Sequence, residues 1–272
     1  MNKNIFVIGS YGQTASRWLV HALNLHPSMH VLAAREDWAG NMGLPQEKIM
    51  VRADDLFSIK SDKVLGCIHR HSVDNFNLLD GAPELKGRVF NLIRHPILRV
   101  RSAANAIRKT IDNHSQFSSQ TEVRFGEKIS FWECQWGLSW EDVDFRSFVM
   151  AVAYMECYIR ELNYESGTLG FSRKSHIKCE DLTQNKEYFG RFVQELLNGV
   201  GDVGQAYLDL AYAPENTPSM NKKLTHNFGN SLTECSEVFN EWGTWKSAIF
   251  TEVAEELQLK KEFEWTGYNI EY

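Results

Sequence analysis

The chain has 272 residues, 43% of them apolar, a formal net charge of −6 and five cysteines. That length suits one large α/β domain with a sizeable core, and the acidic balance argues against nucleic acid as the main partner. No apolar run approaches the ~18 residues of a membrane helix, and cysteines scattered without a CxxC read as reduced thiols of a cytoplasmic protein, not a zinc site or a disulfide frame.

The run Ile5 to Ile8 reads as a buried strand that enters the loop Gly9-Ser10-Tyr11-Gly12. A strand starting at residue 4 or 5 leaves no room for a signal peptide. From Thr14 to Leu25 the apolar residues Ala15, Trp18, Leu19, Ala22 and Leu23 keep helical spacing, and His26-Pro27 stops the helix. His21, His26 and His30 belong to this helix and its exit, without catalytic roles. Met29 to Ala33, Lys63 to His69, Arg88 to Arg94 and Ser175 to Cys179 read as four further strands. Helical patterns fall near 46–57, 72–79, 96–111, 144–164 and 181–198. The polar stretch 112–127 reads as a mobile loop, and 213–230 as a second long loop. Trp132, Trp136 and Trp140 are spaced to share one helix face, as a core stripe or as an aromatic platform for an acceptor. Glu252, Glu255, Glu256, Lys260 and Lys261 read as a solvated helix face. Strands alternating with helices predict an α/β fold, a mainly parallel central sheet of about five strands between two helical layers. With no linker in sight, residues 1–272 form a single domain.

Two segments suggest anion chemistry. The first, Gly9 to Trp18, follows a strand and opens a helix, where backbone N–H groups and the helix dipole favour a phosphate. Small residues at Gly12, Thr14, Ala15 and Ser16 allow close approach. The alternative is a tight turn with no ligand. The absence of GK[ST] disfavours an ATP or GTP hydrolase. The second segment is Val89 to Pro96 with Ser102. Pro96 fits the first turn of a helix, so Arg94 stands at the carboxyl end of a strand, where open α/β sheets place ligands. Arg94 and Ser102 could grip a phosphate from two sides. The alternative is a buried arginine paired with an acid.

Taken together, these segments resemble the sulfotransferases that use 3′-phosphoadenosine 5′-phosphosulfate (PAPS). Gln13-Thr-Ala-Ser-Arg-Trp-Leu19 is similar to the family's 5′-phosphosulfate loop, written KSGTTWL or KGGTRxL. Leu23-Asn-Leu-His-Pro27 resembles the end of the following helix in many bacterial members. Arg94-His-Pro with Ser102 has the spacing of the family's 3′-phosphate site. Lys178-Cys-Glu-Asp-Leu182 resembles the (K/R)YEDL segment, and Gly243-Thr-Trp-Lys246 the C-terminal GDWK.

The resemblance implies a P-loop-like fold and transfer of a sulfuryl group from PAPS, without a metal, to a hydroxyl or amine of a small-molecule or glycan acceptor. Nucleotide contacts then fall to Gly12, Gln13, Thr14, Ala15, Ser16, Arg17 and Trp18, with Trp18 packing on adenine, and to Arg94, Ser102, Cys179, Trp245 and Lys246. His71 aligns with the family's catalytic histidine and His69 with its lysine. His71 suits a general base because histidine titrates near neutral pH. Glu36 and Asp37 are the alternative bases.

Three departures stand out. Gln13 replaces the cation expected beside the leaving oxygen, a charge Arg17, Arg70 or Lys246 could supply. Cys179 replaces the tyrosine of YEDL. The Arg-Lys-Gly expected before Gly243 is missing, and Lys222, Lys223, His226 and Asn227 are candidates to replace its phosphate contacts. Two rival functions stay open: a non-catalytic relative that only binds the nucleotide, and a small-molecule kinase on the same fold.

Overall fold

A computed structural model describes residues 4–10, 15–33, 59, 61–70, 85, 87–167, 175–213, 216 and 235–272. The described elements begin with β1 (Ile5–Ser10), α1 (Ser16–Asn24), β2 (Met29–Ala33), β3 (Val64–Arg70) and β4 (Val89–Ile93). Helices α2 (Pro96–Lys109), α3 (Ser115–Trp136) and α4 (Val143–Gly167) follow, then β5 (His176–Lys178). The rest is helical: α5 (Cys179–Gln184), α6 (Lys186–Leu197), α7 (Gln205–Ala211), α8 (Cys235–Glu241), α9 (Gly243–Glu256) and α10 (Leu259–Glu264). The fold is α/β, with a five-stranded, all-parallel central sheet flanked by helices. The chain divides into two compact units, Met1–Arg94 with Leu169–Leu232 and His95–Thr168 with Thr233–Tyr272.

The first unit holds the sheet, in the order β2-β3-β1-β4-β5. All six residues of β1 are buried, as a central parallel strand requires. Phe6 and Ile8 of β1 and Phe90 and Leu92 of β4 share one cluster with Trp18 and Leu19 of α1 and Phe189, Phe192 and Leu196 of α6. Asn24 ties α1 to β2. Its amide donates to the Val20 and Val31 carbonyls at 2.9 and 2.8 Å and accepts from the Val31 N–H at 3.1 Å. His26 is structural, as its position at the helix exit suggests. Its Nδ1 accepts from the Ser28 N–H at 3.2 Å, and Nε2 lies 3.2 Å from the Asp202 carbonyl.

One close approach in this sheet is set by a glycine. Gly66 on β3 lies opposite Phe6, and a Cβ at 66 would fall 2.2 Å from the end of the Phe6 ring. Phe6 is fully buried, so the ring can yield only by disturbing the core. Gly66→Ala is therefore expected to destabilise the protein by about 1–3 kcal/mol, as overpacked core sites do. An unchanged denaturation midpoint would refute this.

The strand order also locates a crevice. The chain leaves β1 toward β2 on one side and leaves β4 toward β5 on the other. β1 and β4 are neighbours, with Ser10 opposite Leu92. Connections that diverge from two adjacent parallel strands open a gap at their carboxyl ends, where ligands of open α/β sheets bind.

The second unit is helical. Stretch 112–127, expected to be a loop, instead forms a short 3-10 turn (Ile111–His114) and the first half of α3. Its polar text hides a stripe: Phe117, Thr121, Phe125, Ile129 and Trp132 recur every three or four residues, and the last four are buried. A helix that buries one narrow stripe can be polar elsewhere. Gly137, in the left-handed conformation at φ 63°, ends α3 at Trp136. Trp140 therefore leaves the face expected for all three tryptophans and packs edge-on against Phe145, at 6.1 Å. Trp132 is a core residue whose indole N–H donates to Glu252 at 2.8 Å. Arg124 and Lys128 of α3 pair with Glu256 and Glu252 of α9 at 3.6 and 3.0 Å, so part of the face expected to be solvated holds two helices together.

Candidate functional site

The chain enters α1 through Ala15, the N-cap of the helix. Ala15 has φ 56° and ψ 19°, the left-handed region. An alanine there costs ~1–2 kcal/mol because its Cβ crowds the following carbonyl oxygen. The family segment that this loop resembles carries glycine at that place. Ala15→Gly is expected to stabilise the protein by about 0.5–1 kcal/mol, after allowing for glycine's extra freedom in the unfolded chain. A lower melting temperature would contradict that.

The strained cap aims the first N–H groups of α1 out of the helix end, and the first turn carries no acidic residue. That end attracts anions. Arg17, second in the helix, is half-buried, and desolvation pulls its pKa below the ordinary arginine value. A cation in the first turn opposes the helix dipole, and a bound anion would offset that cost.

Arg94 follows the last residue of β4, in the same unit. The ladder puts Ile93 level with Lys178 of β5, so Arg94 lies at the edge where β5 turns into α5. There Arg94 Nε is 3.9 Å from Glu180 Oε1, with the two side chains 21% and 12% exposed. The sequence offers Arg94 either a phosphate or an acid, and Glu180 is an acid beside it. The sequence puts Glu180 inside the segment that resembles (K/R)YEDL, without a role of its own.

Cys179, between Lys178 and Glu180, is buried, and its thiol is pushed up to about 12. Burial is the main cause. The Arg94 charge opposes the rise and Glu180 adds to it. The thiol is therefore neutral and offers a nucleotide no charge.

The resemblance puts Trp18 on adenine, but the structure gives it a core position. Its ring is 1% exposed and lies 5.1 Å from Phe189 and 5.4 Å from Tyr212. Its indole N–H donates to the Ala211 carbonyl at 3.1 Å. Both ring contacts come from the helices after β5, which the loop motif could not reveal.

The remaining candidates fall in three groups. Ser16 opens α1 and is buried. His69 lies in β3, beside the slip in the β1–β3 ladder between Ile8 and Gly9. Ser102, Trp245 and Lys246 belong to the second unit. Ser102 lies on α2 and is partly buried. Lys246 Nζ is 2.7 Å from Asp144 Oδ2 and 5.0 Å from the Trp245 ring centre, so an acid and an aromatic face hold its charge. Gly12, Gln13, Thr14, Glu36, Asp37, His71, Lys222, Lys223, His226 and Asn227 lie outside the described residues.

Among the described residues, no helix is long and apolar enough to cross a membrane. Comparison with family models, curated proteins and solved structures finds no match to this chain.

Proposed function

We propose that this chain is a sulfotransferase that moves a sulfuryl group from PAPS to a hydroxyl of a carbohydrate or other small metabolite. One observation carries the reading. The N-terminus of α1, with its strained Ala15 cap and half-buried Arg17, and Arg94, the residue after β4, belong to the carboxyl edge where β1 and β4 diverge. A donor with anions at both ends of one nucleoside needs two such anchors, and these residues fit it.

In this reading the segment from Gly12 to Arg17 holds the 5′-phosphosulfate through backbone N–H groups, the hydroxyls of Thr14 and Ser16, and the Arg17 charge. Arg94 takes the 3′-phosphate. His71 removes the acceptor proton, with His69 two positions earlier in the chain and Glu36 or Asp37 as the alternative bases. The acceptor oxygen forms a bond to sulfur as the bond from sulfur to the bridging oxygen breaks, and adenosine 3′,5′-bisphosphate leaves. Gln13 and Arg17 stabilise the charge on that oxygen. The protein's part is positioning and electrostatics, as in phosphoryl transfer. Five free cysteines fit a cytoplasmic setting.

A second reading has one observation behind it. Gln13 carries no charge where the chemistry favours a cation, which suits a relative that binds the nucleotide without transferring sulfate. Adenosine 3′,5′-bisphosphate and ADP carry the same number of phosphates in different places, so they make the test. The bisphosphate is expected to raise the melting temperature more than ADP at equal concentration. Equal shifts would remove the PAPS reading. Sulfate transfer to none of a broad acceptor panel, with the bisphosphate preference intact, would favour the binding-only relative.

A further inference from the structure

We propose that Glu180 sets how tightly the site holds a 3′-phosphate: its carboxylate, beside the Arg94 guanidinium, lowers the attraction of that arginine for the nucleotide and so favours release of the bisphosphate product. The inference rests on the assignment of Arg94 to the 3′-phosphate.

Three observations lead there. First, the 3.9 Å between Arg94 Nε and Glu180 Oε1 is an ion-pair distance, longer than a hydrogen bond, so this contact acts through charge. Second, both side chains are largely withdrawn from water, at 21% and 12% exposure, so the pair is screened less than a surface pair. Third, Glu180 is in the first turn of α5, where the helix dipole favours a carboxylate. An incoming phosphate therefore meets a pair of net charge zero, not a bare cation. The carboxylate repels the same anion that the guanidinium attracts. Lys178 and Asp181, one charge of each sign, stand on either side of Cys179 and Glu180 in the chain, and both Lys178 and Glu180 act on the Asp181 carboxyl.

Titration calorimetry on the full chain tests this with adenosine 3′,5′-bisphosphate and with AMP, which differs only in lacking the 3′-phosphate. Glu180→Gln is expected to tighten the bisphosphate on the order of tenfold, the scale of one like charge removed from a partly screened site, and to leave AMP unmoved. Glu180→Asp, which draws the carboxylate back by one methylene, is expected to tighten it in the same direction by less. Glu187→Gln removes an exposed carboxylate on α6 and is expected to change neither ligand. Unchanged or weaker bisphosphate binding in either folded Glu180 variant overturns the proposal, as does equal tightening of AMP. If the wild-type chain does not prefer the bisphosphate to AMP, the 3′-phosphate assignment falls and this inference falls with it. If that preference holds while Glu180→Gln changes nothing, the inference alone fails.

Discussion

Replacing Arg94 with alanine is expected to erase the preference for adenosine 3′,5′-bisphosphate over ADP. The loss is that of charge-assisted hydrogen bonds to one phosphate, ~1.5–3 kcal/mol or roughly 10–150-fold in Kd. Binding through the 5′ end should persist, because the α1 terminus is a separate anchor. Arg94→Lys keeps the charge but not the planar fork, so it should fall between the two. Removing the arginine also takes a cation from beside Glu180. A double change, Arg94→Ala with Glu180→Gln, separates that cost from the lost phosphate contact. Calorimetry with the two nucleotides reads the result, and an undiminished preference in Arg94→Ala would refute the assignment.

Trp18→Ala is expected to give the largest stability loss of the single changes considered, ~3–5 kcal/mol, the range for a large aromatic removed from a packed core. The ring is 1% exposed, packs against Phe189 and Tyr212, and anchors the Ala211 carbonyl. Trp18→Phe keeps most of the volume but leaves that carbonyl without its donor, for ~1–3 kcal/mol. Chemical denaturation measures both. Nucleotide affinity gives the discriminating second measurement. If Trp18 stacks on adenine, Trp18→Phe should weaken the bisphosphate and ADP alike. If it is a core residue, stability falls and affinity in the folded protein holds.

Much of the sheet was legible because its strands are short apolar runs broken by turn residues. Met29–Ala33 matches its expected bounds, and the other four strands lie within a residue or two of theirs. Fully buried parallel strands leave a strong local signal. Helix α3 was not legible. Its serines and glutamines read as loop chemistry, and its buried stripe has meaning only against the partners it meets, Tyr154 at 4.3 Å from Phe117 among them. The third tryptophan misled for a related reason, since spacing alone does not show that Gly137 ends the helix first.

The candidate site divides the same way. Local sequence determined the strand that ends at Ser10, the helix that opens at Ser16 and the place of Arg94 after an apolar strand, because periodicity acts over a few residues. The tertiary structure decided what those residues face. Strand order made β1 and β4 neighbours with diverging exits. The pairing of β4 with β5, more than eighty positions apart in the chain, brought Glu180 to Arg94. The helices after β5 turned Trp18 from a candidate nucleotide contact into a core residue. Which group neutralises a charge, or covers a ring, depends on contacts between distant segments, and no local pattern encodes those.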